Sequence, residues 1–198
     1  VRYLALGDSY TIGEGVAEAE RWPAQLVARL RREGIAIDDT QIVATTGWTT
    51  DELSAAMDAT VLMPPYDLVS LLIGVNNQYR GRSVDEYRGE FQRLLDRAIE
   101  LAGALSERVF ALSIPDWGVT AFGQQSGRDV AQIADELDAY NAAAQDLCAA
   151  RKVAWVDITP LSRAFPDQVA DDGLHPSGEQ YSLWAAEAWP AFQAALNR

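Results

Sequence analysis

Cysteine and histidine each occur once in the 198 residues, as Cys148 and His175. One cysteine excludes an intrachain disulfide, and the pair leaves no Cys/His ligand cluster for zinc. Cys148 falls in a helical pattern, where a free cysteine behaves as a small core side chain. Long apolar runs are missing too. The longest, Leu68 to Val75, has strand length and is interrupted by Ser70 and Gly74, far short of the roughly 20 residues that span a bilayer. No amphipathic anchor for a membrane surface is evident. Basic charge is scarce. The net charge is −13, which argues against nucleic acid and anionic membranes as partners because both repel such a surface. No secretory leader pattern is present, so a cytoplasmic location is expected, although a chain starting at Val1 leaves room for a removed leader. No linker, repeat or low-complexity segment divides the chain, and its length suits one domain over residues 1–198.

What is present is an alternation of short apolar runs with longer amphipathic stretches. The strands are expected at Tyr3–Leu6, Gln41–Ala44, Asp67–Ile73, Val109–Ser113 and Val153–Val156. Trp22 to Arg32 reads as the first helix, with Pro23 in its first turn. Thr49 to Glu52, Ser83 to Glu86 and Ser177 with Gln180 read as capping boxes opening three more. After Ser83 one apolar face carries Phe91, Leu94, Leu95, Ala98, Leu101, Ala102 and Leu105. Val130, Ile133, Leu137, Tyr140, Ala144 and Leu147 repeat the pattern, and Pro190 should kink or interrupt the last helix. The longest loop is expected from Trp117 to Gly127, on its glycines. Strands alternating with helices imply parallel pairing. The fold class is therefore α/β: a three-layer α/β/α sandwich on a five-stranded parallel sheet, with flavodoxin-like strand order.

Chemistry concentrates at the two ends. The first strand stops in Gly7-Asp8-Ser9-Tyr10, where glycine permits a sharp turn. Ser9 then either faces the ligand crevice of an open α/β sheet or caps the next helix, and these residues alone do not separate the two. At the far end stands Asp171-Asp172-Gly173-Leu174-His175. A lone histidine is usually structural, but Asp172, three residues earlier, can reach back to Nδ1 and hold one tautomer. Asp171 competes, and spacing favours Asp172. Gly47, before the Thr49 box, can turn an amide toward an anion, or simply make a turn. Asn76 after the third strand can donate to an oxyanion, or be a turn asparagine.

Taken together, these blocks at 7–10, 47, 74–77 and 172–175 resemble the SGNH hydrolases, the GDSL family of esterases and lipases, over nearly the whole chain. The resemblance implies the same three-layer fold and a serine esterase. Ser9 would be the nucleophile, His175 the general base and Asp172 its orienting acid. The Ser9 and Gly47 amides and the Asn76 side chain would form the oxyanion hole, with no metal or organic cofactor. There are departures: Tyr10 replaces the family's Leu, and Asn77 stands where Asp is usual, so the carboxylate that would stiffen that turn is missing. Thr11 excludes the Gly-x-Ser-x-Gly elbow of α/β-hydrolases.

The expected substrate is a small ester with a short acyl group, and Trp48, Tyr79, Trp117 and Phe122 are candidate pocket residues. An acyltransferase, a thioesterase or a lysophospholipase would use the same site. A non-catalytic binding module is disfavoured by the intact Ser9, Asp172 and His175. A nucleotide-binding module is disfavoured because Gly7, Gly13 and Gly15 fit neither a dinucleotide fingerprint nor a P-loop.

Overall fold

The structure, a computed structural model, describes residues 1–196. Five strands form one parallel sheet: β1 (Tyr3–Gly7), β2 (Gln41–Ala44), β3 (Leu68–Leu72), β4 (Val109–Leu112) and β5 (Ala154–Val156). Their order is β2-β1-β3-β4-β5, the flavodoxin-like order expected. Every residue of β1, β3 and β4 is buried, as befits central strands covered on both faces.

The helices follow from the apolar spacing. α1 (Ser9–Ile12) is a single turn after β1. α2 (Trp22–Arg32) has Pro23 in its first turn and buries Trp22, Leu26, Val27 and Leu30. Then come α3 (Thr50–Ala59), α4 (Val75–Tyr79), α5 (Val84–Leu101), α6 (Ala121–Gln125) and α7 (Val130–Arg151), followed by α8 (Thr159–Ala164) and α9 (Gly178–Leu196). Right-handed crossovers in this strand order send α2 to one face and α3, α5 and α7 to the other. Packing agrees: α2 lies on α9, while α5 contacts both α3 and α7. Cys148 is buried on α7.

Four local expectations are corrected. Leu105 lies beyond α5 and Val130 starts α7, and both are exposed because neither reaches the core face. The 117–127 stretch is ordered, not a long loop. It holds a 3₁₀ turn at Trp117–Val119 and then α6, each opened by a side-chain cap: Asp116 accepts from the Gly118 amide at 2.9 Å and Thr120 from the Gly123 amide at 3.1 Å. Of the kink or break expected at Pro190, the break is not found: α9 is continuous through it. The Ser177 box is half formed: Gln180 N donates to Ser177 Oγ at 3.3 Å, while the Gln180 amide turns to the Phe165 and Gln168 carbonyls.

Two turns at the sheet's C-terminal edge are tied across the gap between β2 and β3. Thr49 N donates to Glu52 at 2.9 Å, one half of the expected box, but Thr49 Oγ1 points to Asp51 at 2.5 Å. The next open amide of α3, Thr50 N, is capped from α4 by Asn77 Oδ1 at 3.0 Å. Asn77 Nδ2 donates to Thr50 Oγ1 at 2.6 Å and faces Glu90 of α5 at 3.5 Å. Thr50 Oγ1 in turn donates to Glu90. The carboxylate missing at position 77 is thus supplied by Glu90, and the asparagine supplies the donor that Glu90 needs. Asn77→Asp should destabilise the fold by roughly 1–3 kcal/mol by setting two acceptors face to face. Adding Glu90→Gln should recover much of that loss in denaturant unfolding; strictly additive effects would contradict this pairing.

Candidate active site

Gly7, the last residue of β1, keeps an ordinary strand conformation. It must be glycine for a different reason from the sharp turn expected: a Cβ there would lie 2.2 Å from Thr11 Oγ1 and 2.6 Å from the Leu72 carbonyl oxygen. Asp8 makes the turn. It is the N-cap of α1, and its Oδ1 accepts from the Tyr10 amide at 3.0 Å. Ser9 is therefore the first helical residue, not the cap, and its hydroxyl is not used to end the helix. Its amide is one of the helix-start N–H groups that have no intrahelical acceptor.

The second half of the site is local. Asp172 Oδ1 accepts from the Leu174 and His175 amides, each at 2.9 Å, and Oδ2 meets His175 Nδ1 at 2.5 Å. Asp171 is exposed and makes none of these contacts. A carboxylate on Nδ1 places the ring proton there and leaves Nε2 as the acceptor. Partial burial works to raise the Asp172 carboxyl, but hydrogen bonds from the His175 ring and the two amides outweigh it and hold it below the usual carboxylate value. The loop is braced by Ala170 N on the His175 carbonyl at 2.7 Å and by Phe122 N on the Gly173 carbonyl at 3.0 Å. The imidazole packs edge-on against Tyr10, with ring centroids 5.8 Å apart.

Ser9, Gly47, Asn76 and His175 line one cavity of about 240 Å³. Ser9 Oγ and the imidazole share no hydrogen bond among the described residues; catalytic bonds are often longer before substrate binds. Gly47 sits in the turn closed by Trp48 N on the Thr45 carbonyl, at a φ of 89°. Gly74, the N-cap of α4, has a φ of 133°, and a Cβ would lie 2.5 Å from the Tyr87 ring. Only glycine lets β3 turn there and aim Asn76 into the cavity. Asn76 Nδ2 donates to the Trp48 carbonyl at 2.9 Å, and its second hydrogen remains for another acceptor.

Tyr79, Trp117 and Phe122 form the cavity's aromatic wall. Trp48 does not line it; its ring is half-buried against the core, and it meets the site through its carbonyl. Tyr10, Thr46, Val75 and Leu174 also line the cavity and were missed by sequence reasoning. Each directly adjoins a residue that was singled out, so proximity in the motif blocks was the available signal. No three His, Cys, Asp or Glu side chains among the described residues are arranged to hold a metal.

A flavodoxin-like sheet with Ser9, Asp172 and His175 gathered at its C-terminal edge is an arrangement suited to hydrolase chemistry. Sequence comparison then makes the assignment specific: residues 5–183 match the GDSL-like lipase/acylhydrolase family, and the chain belongs to it. It is a carboxylic ester hydrolase of that family. A search of curated proteins finds no match. Among solved structures, TesA superposes with a TM-score of 0.77 at 20% identity, over 99% of this chain and 100% of its own. The psychrotrophic esterase EstA from Pseudoalteromonas sp. gives 0.74 at 16% identity, over 100% of this chain and 99% of its own. The acetyl xylan esterase AlAXEase gives 0.74 at 18% identity, over 96% and 99%. At these identities the likeness concerns the fold.

Asp8 provides a test of the nucleophile turn. It is fully buried, its Oδ2 has no partner, and burial pushes its carboxyl up to about 7 against the pull of the Tyr10 amide. In the unfolded chain such a group titrates near ~3.9. Between those values the folded state holds the extra proton, so its contribution to stability is full at low pH and is lost as pH rises toward 7. Asp8→Asn keeps the acceptor for Tyr10 but carries no charge. Its stability relative to wild type should therefore improve by roughly 2–4 kcal/mol between pH 5 and pH 8. A difference that does not change with pH would contradict a buried, raised Asp8.

Proposed function

We propose that the protein hydrolyses small esters with short acyl groups through an acyl-enzyme on Ser9. His175 Nε2 takes the Ser9 proton as Oγ attacks the ester carbonyl. The imidazolium that forms is stabilised by Asp172, which stays ionised. The Ser9 and Gly47 amides and the free Asn76 hydrogen receive the tetrahedral oxyanion. His175 then protonates the leaving alcohol, the acyl-enzyme forms, and water enters by the same route in reverse. The single observation that carries this reading is the geometry of Asp172. Three hydrogen bonds fix it, and through it fix a histidine that lines one cavity with an uncapped serine.

The cavity supports a small substrate. About 240 Å³, walled by Tyr79, Trp117 and Phe122, suits a short apolar group more than a long chain. No helix among the described residues is long and apolar enough to cross a membrane, and the net charge of −13 disfavours an acidic lipid surface as the source of substrate.

Release of p-nitrophenol from acyl esters of two to twelve carbons checks both parts. Activity should be highest for the short chains and lost in Ser9→Ala. Asn76→Ala should lower kcat by about 10²–10³. An Asn76→Ala enzyme with unchanged kcat would remove that side chain from the oxyanion hole, and a preference for the longest chains would contradict the short-acyl reading.

A further inference from the structure

Tyr79 belongs to two cavities. On one side is the Ser9 cavity; on the other is a polar cleft of about 410 Å³ between α4 and the start of α7. The acidic groups of this cleft each hold local hydrogen bonds, Glu136 through both oxygens and Asp129 through one. Asp129 Oδ1 caps α7 through the Ala131 and Gln132 amides at 2.9 and 3.4 Å. Glu136 accepts from Gln78 at 2.6 Å on one oxygen and from Gln132 at 2.7 Å on the other. Arg80 is engaged as well, with the Gly47 carbonyl at 2.8 Å and Glu52 at 3.4 Å.

Arg128 differs. Its guanidinium lies 4.1 Å from the Tyr79 ring centroid and 5.7 Å from that of Trp117, two walls of the Ser9 cavity. Nη1 donates to the Tyr79 carbonyl at 3.0 Å. No carboxylate pairs with this arginine among the described residues, and its Nε–Nη2 edge has no acceptor there. That edge is the fork that receives a carboxylate or phosphate through two parallel N–H···O bonds. Stacking and the Nη1 bond already hold the plane, so little freedom is lost when an anion docks. This end of the cleft thus offers a guanidinium edge with no partner among the described residues, beside the Asp129 carboxylate, on a chain whose net charge is −13.

We propose that Arg128 recognises an anionic group, carboxylate or phosphate, carried by the substrate at the end remote from the scissile ester. The substrate class is then an anionic ester whose apolar part lies against Tyr79, Trp117 and Phe122 and whose charge passes Tyr79 to the guanidinium. This rests on the serine esterase reading above.

The test is a ratio: kcat/KM for an anionic ester over that for its neutral counterpart, in wild type and in Arg128→Gln. Three arms cover the chemistry. Mono-p-nitrophenyl esters of dicarboxylic acids are compared with p-nitrophenyl esters of monocarboxylic acids of equal length. Two further arms compare 3-acetoxybenzoate and 3-acetoxyphenyl phosphate, each with 3-acetoxybenzamide. In at least one arm the ratio should fall about tenfold or more in the variant, through KM. The wild-type ratio should also fall with added salt while that of the variant stays level. Equal ratios for the two proteins in all three arms would overturn the role of Arg128. Hydrolysis that persists in Ser9→Ala would instead overturn the esterase reading, so the two failures are distinct.

Discussion

Parallel pairing of β1 with β2 on one side and β3 on the other brings three chain exits to one edge of the sheet, within about two strand spacings of roughly 4.8 Å. Ser9 follows β1, Gly47 follows β2, and Asn76 follows β3. Because the strand order reverses at β1 and β3, no crossover helix covers the gap between their ends. The histidine arrives from elsewhere, on the loop before α9. Its loop is held by the Phe122–Gly173 backbone bond as well as by its own turn. The meeting of these residues is thus a consequence of register, and the clamp of Thr50, Asn77 and Glu90 ties two of the three exits together.

Two aspartates near this edge are pushed in opposite directions by their surroundings. Asp172 is only partly buried and receives three hydrogen bonds, so it remains a carboxylate able to steady a positive imidazole. Asp8 is sealed in with one bond and one unpartnered oxygen, so burial dominates and its carboxyl rises to about 7. In the proposed mechanism one carboxyl acts through its charge. The other serves the turn as an acceptor, and its charge is a burden on the fold.

Much of this was legible in the sequence. The layer architecture followed from apolar runs separated by amphipathic stretches, because buried parallel strands leave that signature; the strand order was expected as the common one for such a fold, not fixed by the pattern. The Asp172–His175 contact was legible for the same reason that a helix cap is: both partners lie within three residues. Ser9 was ambiguous because a serine after a strand can cap a helix; only the backbone of Asp8, already occupying the cap, separates the two uses. The order in residues 117–127 was hidden because its glycines look like loop, while the bonds that build it come from Asp116 and Thr120 just outside or between them. Arg128 and Glu90 were invisible for a different reason. Arg128 meets Tyr79 across 49 residues and Glu90 meets Thr50 across 40, and no local pattern encodes contacts of that separation.

The most direct measurement is covalent labelling with a serine-directed alkyl phosphonate, read by intact mass and peptide mapping. The account predicts one adduct per chain, located on Ser9, absent from Ser9→Ala and formed much more slowly in His175→Ala. An adduct on another residue, or equal labelling of the histidine variant, would contradict the claim that Ser9 is a nucleophile activated by a histidine that Asp172 holds.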